Sequence, residues 1–241
     1  MTTRQKGYYR DKSIVEAIEL FEILNTEQIY YLFFYNIKHG IVKCRERLRI
    51  IKSKGKINSI RVDINECNCY FIDKKPNRFL EHDINRNWGY IYLLYLYKSK
   101  SYYRFSEIRN EYVMEEGNKR TDGIIGFFNY FTNKYRYIII ESDKMDSRNK
   151  FNKIKDYVDL YKEGRYKLEF WYDKVKSFPH VLIVCDSEKK KLKVLEIEER
   201  DNIKFIGIDE SIGKEVKLSL KFIVRTVDEI KLELNKEIGI E

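Results

Sequence analysis

Proline is almost missing from this 241-residue chain, which has two, together with 11 glycines, four cysteines, three histidines and two tryptophans. So little proline and glycine excludes a collagen-like or low-complexity chain, and with 43% hydrophobic and 15% aromatic residues the composition is that of a folded protein. No apolar run approaches the roughly 18 residues of a membrane span. The longest candidate is Tyr90 to Tyr97, and the polar start MTTRQKGYYRDK lacks the apolar segment of a signal peptide. No membrane partner and a cytosolic location are therefore expected. Cys67 and Cys69 stand too close for the usual zinc knuckle, and neither Cys44 nor Cys185 completes a ligand set. Reduced structural thiols are expected in that compartment.

Acidic residues are scarce in one place. The chain carries 47 Lys and Arg against 38 Asp and Glu, a formal charge of +9, and residues 1–80 hold 16 basic and nine acidic side chains. The excess lies in the N-terminal third, and its natural complement is a polyanion.

Apolar spacing over 13–24 predicts a helix with Ile14, Ile18, Phe21 and Leu24 or Val15 inward, and Thr26 can cap a second helix to about Tyr35 with Ile29, Leu32 and Phe33 inward. A third helix runs from Ile41 to Lys54 behind Gly40, with Ile41, Cys44, Leu48 and Ile51 on one stripe. After Gly55 the period becomes two (Ile57, Ile60, Val62, Ile64, then Cys69 and Phe71), which predicts a hairpin turning at Asn65–Asn68. Helix, helix, helix, hairpin is the order of a winged helix-turn-helix, whose third helix enters the DNA major groove. It forms a first domain over 1–75, with Asp73–Asn77 as linker to a second over 78–241.

On the third helix Lys43, Arg47 and Lys54 line one exposed flank and Arg45, Arg49 and Lys52 the other, and the hairpin adds Arg61. Residues 38–56 hold eight basic side chains against Glu46 alone. Such a helix can meet phosphates on both walls of a groove of double-stranded DNA and place an arginine on guanine. A solvated helix face is the plain alternative. Tyr30, Tyr31 and Tyr35 can donate hydroxyls to phosphate or pack in the core.

The second domain alternates helices and strands: a helix over 82–98, strands near Tyr102–Phe105, Gly123–Phe128 and Tyr135–Ile140, and a helix across 146–163. Further strands are expected at Val181–Cys185 and Val194–Glu196 around a basic turn at Glu188–Lys191, with a last helix over Val227–Lys236. The fold class is α+β or α/β with a mixed sheet. Asp122 opens one strand, and Glu141 and Asp143 share a face at the end of another. Clustered carboxylates of this kind can hold Mg²⁺ or Mn²⁺, with Asp122 and Glu141 as ligands and Glu111 as a further oxygen donor. Lys153 on the following helix can reach back toward them and shares a face with Tyr157. A scaffold of paired carboxylates is the non-catalytic alternative. His82 reads as a helix-start residue.

These motifs, in this order, resemble the replication-relaxation family of plasmids and related mobile elements of low-GC Gram-positive bacteria. The similarity runs over most of 12–205: LNTEQI before the basic helix, Glu81-His82-Asp83, FSEIRNEY, Thr121-Asp122-Gly123 where the family tends to have proline-aspartate, IIIESDK, KIKDYVDLYKEG and FPHVLIV. The resemblance implies DNA binding in plasmid replication or relaxation, maintenance, transfer or transcriptional control, with replication or transfer proteins as partners. It also implies a second domain resembling a degenerate PD-(D/E)XK nuclease. Nucleases of that class place a lysine two residues after the glutamate, where this chain has Asp143, and Lys144 points to the other face. The resemblance thus leaves two alternatives: a metal-dependent nuclease using Asp122, Glu141, Asp143 and Lys153, and a non-catalytic interaction factor. A homodimer fits a two-half-site operator, although no heptad pattern demands one.

Overall fold

The computed structural model describes residues 2–61, 67–73, 80–114, 119–143, 153–200 and 222–238, with the side chains of 3, 4, 143, 197–200 and 238 outside that description. The chain mixes α and β structure and divides into two compact units, residues 1–87 with 235–241 and residues 88–234. That division falls inside a helix, whereas the sequence reading put its boundary at 75–78. The expected linker at Lys74, Lys75 and Pro76 lies outside the described residues.

Unit 1 begins with α1 (Thr3–Phe21), ten residues earlier than the apolar stripe alone suggests. Thr2 caps it in a box with Gln5, and Glu22 at φ 66 ends it. A two-residue strand β1 (Leu24–Asn25) leads into α2 (Thr26–Phe33). The cap of α2 is Asn25 rather than Thr26: Asn25 Oδ1 accepts from Gln28 N at 2.8 Å and Gln28 Oε1 accepts from Asn25 N at 3.0 Å. A capping box needs Gln or Glu three residues after the cap, a spacing that Asn25 satisfies and Thr26 does not. Tyr31 and Phe34, not Leu32 and Phe33, are the buried aromatic and apolar side chains here.

Helix α3 (Gly40–Ser53) buries Gly40, Cys44, Leu48 and Ile51. A Cβ at Gly40 would stand 2.2 Å from the Phe34 carbonyl oxygen, so the α2–α3 turn requires glycine there. Gly55, at φ 68, closes the helix. Strands β2 (Asn58–Ile60) and β3 (Cys69–Phe71) pair antiparallel, and β1 pairs on the other side of β3, giving the sheet order β1-β3-β2. Val62 and Ile64 of the expected hairpin lie outside the described residues. Helix α4 (Leu80–Lys98) begins in this unit. Asn87 Nδ2 donates to the carbonyls of Phe21 and Ile23, binding α4 to the orphan carbonyls at the end of α1. The wholly buried Arg86 faces Asp83 at 3.3 Å.

Unit 2 is a five-stranded sheet in the order β4-β5-β6-β7-β8, made of β4 (Tyr103–Asn110), β5 (Gly123–Asn129), β6 (Lys134–Asp143), β7 (His180–Cys185) and β8 (Phe222–Thr226). The first three are antiparallel, and β6, β7 and β8 run parallel. Parallel neighbours require crossovers. Helix α5 (Lys153–Lys162), a 3-10 turn at Arg165–Leu168 and short α6 (Tyr172–Val175) span the first, and α7 (Glu188–Arg200) lies in the second. Helix α8 (Val227–Ile238) follows β8.

Side chains on β6 alternate between two helical layers. Tyr137 and Ile139 join Ile154, Tyr157 and Leu160 of α5 in one core. On the other face a Cβ at Gly89 of α4 would stand 2.9 Å from Val184 Cγ2 and 3.0 Å from Ile140 Cγ2, so glycine lets α4 lie close against the sheet.

Two expectations are corrected here. Glu188–Lys191 is the first turn of α7 rather than a hairpin turn, and Val194–Glu196 lies within that helix rather than on a strand. Lys, Glu and Leu favour helix, and a thirteen-residue stretch of them overrides the brief alternation around Val194. The helix expected across 146–163 is described from Lys153 onward.

Candidate functional site

Two arrangements gather the residues singled out in the sequence. The first lies in unit 1, between α3 and the β2–β3 pair. A cleft of about 500 Å³ is lined by Arg45, Arg49, Lys52 and Arg61, with Thr26 and Ser59 among its polar neighbours and, among the described residues, no acidic one. Helical spacing puts Arg45, Arg49 and Lys52 on the flank turned to the strands, next to the stripe that Cys44, Leu48 and Ile51 bury. Arg45, Arg49 and Arg61 are exposed and make no ion pair with another described residue. Lys52 Nζ donates to Ser59 Oγ at 2.7 Å, tying the helix to β2, and makes no ion pair with another described residue.

The opposite flank differs. Arg47 Nε donates to Asp11 Oδ1 at 2.7 Å, and a second guanidinium nitrogen binds Oδ2, a forked pair with α1 that raises the arginine's affinity for its proton. Arg47 is thus taken up inside unit 1, a correction to its place among the DNA-facing residues. Lys43 and Lys54 are exposed on that flank, outside the cleft. Of the two readings of Tyr31 the structure takes core packing: the residue is buried, and its hydroxyl donates to Asn235 Oδ1 at 2.7 Å.

The second arrangement lies in unit 2, where β5 and β6 meet α5. Strand parity turns Glu141 toward α5, and Lys153 and Tyr157, one turn apart on that helix, present their polar ends to it. Lys153 Nζ donates to Asp122 Oδ1 at 3.1 Å and to Glu141 Oε2, and Tyr157 Oη donates to Glu141 Oε1. Asp122 Oδ2 accepts from Ser142 N at 2.7 Å. Glu141 is wholly buried and Lys153 is 35% exposed, so the cluster opens to solvent on the lysine side.

Burial first, and then the charge of Asp122, push the Glu141 carboxyl up to about 8 against the lowering pull of Lys153. The two carboxylates hold the ammonium protonated in spite of its burial. Burial and the neighbouring Glu141 drive the Tyr157 hydroxyl well above its ordinary range, so it is a donor throughout.

Asp122, Glu141 and Lys153 therefore come together as anticipated. Asp143 ends β6 with its side chain outside the described residues, and Lys144 lies outside them altogether. Glu111 does not join the cluster. It sits at φ 48 beyond β4, where its carboxylate pairs with Arg120 on the surface. The Tyr157 hydroxyl contact is not anticipated by the sequence analysis; the position of Tyr157 one turn from Lys153 is the available signal.

A resident divalent cation does not fit this arrangement. Each of the four oxygens of Asp122 and Glu141 already has a donor, and the point on which they converge is held by an ammonium. Among the described residues no group of three or more His, Cys, Asp or Glu could hold a metal ion. His82 lies 3.8 Å from its neighbour Asp83, well away in sequence from either arrangement. All four cysteines are free thiols, and among the described residues no helix is long and apolar enough to cross a membrane.

Compared with models of known protein families, with curated proteins and with solved structures, the chain matches none.

Proposed function

We propose that this chain binds double-stranded DNA through unit 1, with α3 in the major groove and the β2–β3 pair as a wing against the backbone, the arrangement of a winged helix-turn-helix. The observation that carries the reading is the cleft lined by Arg45, Arg49, Lys52 and Arg61, with no acid among the described residues that line it. Four cations on one concave surface cost Coulomb repulsion that phosphates relieve, each contact releasing condensed counterions. The forked Arg47–Asp11 pair supports the reading from behind, because it fixes α3 against α1 as a rigid element to dock. The motif-order resemblance to the replication-relaxation family places such a protein on a plasmid or mobile element, in replication or relaxation, maintenance, transfer or transcriptional control.

Unit 2 on this reading is a nuclease-like domain in which the ammonium of Lys153 offsets the Asp122 carboxylate and, bonded also to the Glu141 carboxyl, pins α5 to β6. Assembly and partner contact, rather than strand cleavage, are its role.

Fluorescence anisotropy with a labelled duplex tests the proposal. Arg45→Ala with Arg49→Ala is expected to weaken binding at least tenfold at physiological ionic strength. The same variant should reduce the slope of log K against log salt by about two, one for each lost phosphate contact. Affinity and slope both equal to those of the unaltered protein would remove unit 1 from DNA recognition.

A further inference from the structure

At one end of the unit 2 sheet, the close of α4, the start of β4 and the β5–β6 turn come together with an unusual composition. Residues 88–106 and 123–140 contain Lys98, Lys100, Arg104, Lys134 and Arg136 and not one acidic residue. The same segments are rich in aromatics, and some of these are left uncovered: Phe131, at the turn, is 84% exposed, and Tyr130 is 54% exposed.

The register explains how the rings line up. Arg104 of β4 stands opposite Phe128 of β5, and Phe128 opposite Tyr135 of β6, so the three side chains cross the sheet on one face. Phe128 lies 5.0 Å from Tyr135 and 5.2 Å from Tyr130, centroid to centroid, and Tyr102 lies 5.6 Å from Phe131. Arg104 Nη1 donates to Tyr130 Oη at 3.3 Å, fixing the tyrosine ring at one end of the row. At the other end Lys174 Nζ sits 5.2 Å from the Tyr135 ring and is paired with Glu107 at 3.2 Å, which leaves Arg104 as the cation of the row. A protein core does not need this: an 84%-exposed phenylalanine contributes little burial, and leaving it in water is unfavourable.

We infer that the Arg104–Phe128–Tyr135 row, with Tyr130 and Phe131 at its edge, is a binding platform for single-stranded nucleic acid. Unstacked bases offer π-faces to exposed rings without regard to sequence, and the backbone phosphates of the same strand need nearby cations. A duplex keeps its base faces stacked inside and offers nothing to such rings, so the platform is separate in chemistry and in place from the cleft of unit 1. The five cations of the two segments, with the neighbouring Glu107 taken up by Lys174 and Tyr137, favour a polyanion over an acidic or neutral protein surface.

Anisotropy titration of the full chain with labelled oligothymidine and oligouridine of about 15 nucleotides tests this. The unaltered protein is expected to bind at least one of them, and the tighter of the two identifies DNA or RNA as the source. Tyr130→Ala with Phe131→Ala should weaken that binding about tenfold or more while duplex binding stays the same. Phe131→Leu, which keeps the apolar bulk and removes the π-face, should lose most of what Phe131→Ala loses. Full oligonucleotide affinity in the double variant or in Phe131→Leu would overturn the proposal, as would a failure of the unaltered protein to bind either strand. Binding to anionic lipid vesicles in place of the oligonucleotides would assign the rings to a membrane surface and overturn it equally.

Discussion

Arg47 on α3 grips Asp11 on α1 through two guanidinium nitrogens, with Nε 2.7 Å from Oδ1, and so one of the three arginines of the basic helix serves the fold before any partner arrives. The pair is partly exposed, and it joins residues 36 positions apart in sequence.

Arg47→Ala is therefore expected to act on stability. Losing the forked pair and leaving Asp11 mostly covered costs about 1 kcal/mol, readable as a lower urea midpoint with an unchanged m-value. Duplex affinity should move less than threefold. A tenfold loss of affinity with an unchanged midpoint would put Arg47 on the DNA instead.

The Glu141 carboxyl gives a pH dependence with a definite sign. An ordinary glutamate titrates near about 4.3 in an unfolded chain, and burial in unit 2 lifts this one to about 8. Between those values the folded protein holds a proton that the unfolded chain has released, so stability contributed by this group is full below pH 4 to 5 and falls as pH rises toward 8. Lys153, whose proton is also held more tightly, adds a loss only above the ordinary lysine range. Glu141→Gln keeps the shape and removes the titration. The melting temperature of the variant should decline less over pH 5 to 8 than that of the unaltered protein, and parallel curves would show that Glu141 is not the group responsible.

Removing the donors should hurt in a fixed order. Tyr157→Phe strips one donor from a wholly buried carboxylate, at a cost of about 1 to 3 kcal/mol. Lys153→Met leaves Asp122 and Glu141 facing each other without a cation, at about 3 kcal/mol or more. Adding Glu141→Gln to Lys153→Met should restore part of that loss at alkaline pH, where Glu141 would otherwise ionise beside Asp122. The same proteins incubated with supercoiled plasmid and Mg²⁺ or Mn²⁺ should leave it intact. Nicking by the unaltered chain that vanishes in Glu141→Gln would establish the nuclease reading and refute the pin.

Much of the fold is legible in the chain itself because it depends on local period. The buried stripe at Cys44, Leu48 and Ile51, the strand cores of β5, β6 and β7, and the cationic face of α3 all follow from spacing within a dozen residues. The cap of α2 was legible to within one position. The expected strand at Val194–Glu196 fails for a reason of the same kind: a short alternating run says little when helix-favouring lysines and glutamates flank it on both sides.

What only the tertiary structure decides is which polar group meets which. Parity along β6 sets the face of Glu141, yet the crossover to α5 had to place Lys153 and Tyr157 above it before the carboxylate had donors. Sequence could not pair Arg47 with Asp11 on α1, nor Tyr31 with Asn235, which lies 204 positions away. It could not separate Glu111, turned toward Arg120 on the surface, from the cluster at Asp122. Periodicity fixes the direction in which a side chain leaves its own element. The partner it finds depends on how distant elements close upon one another, and in a buried site that choice determines charge, protonation and chemistry.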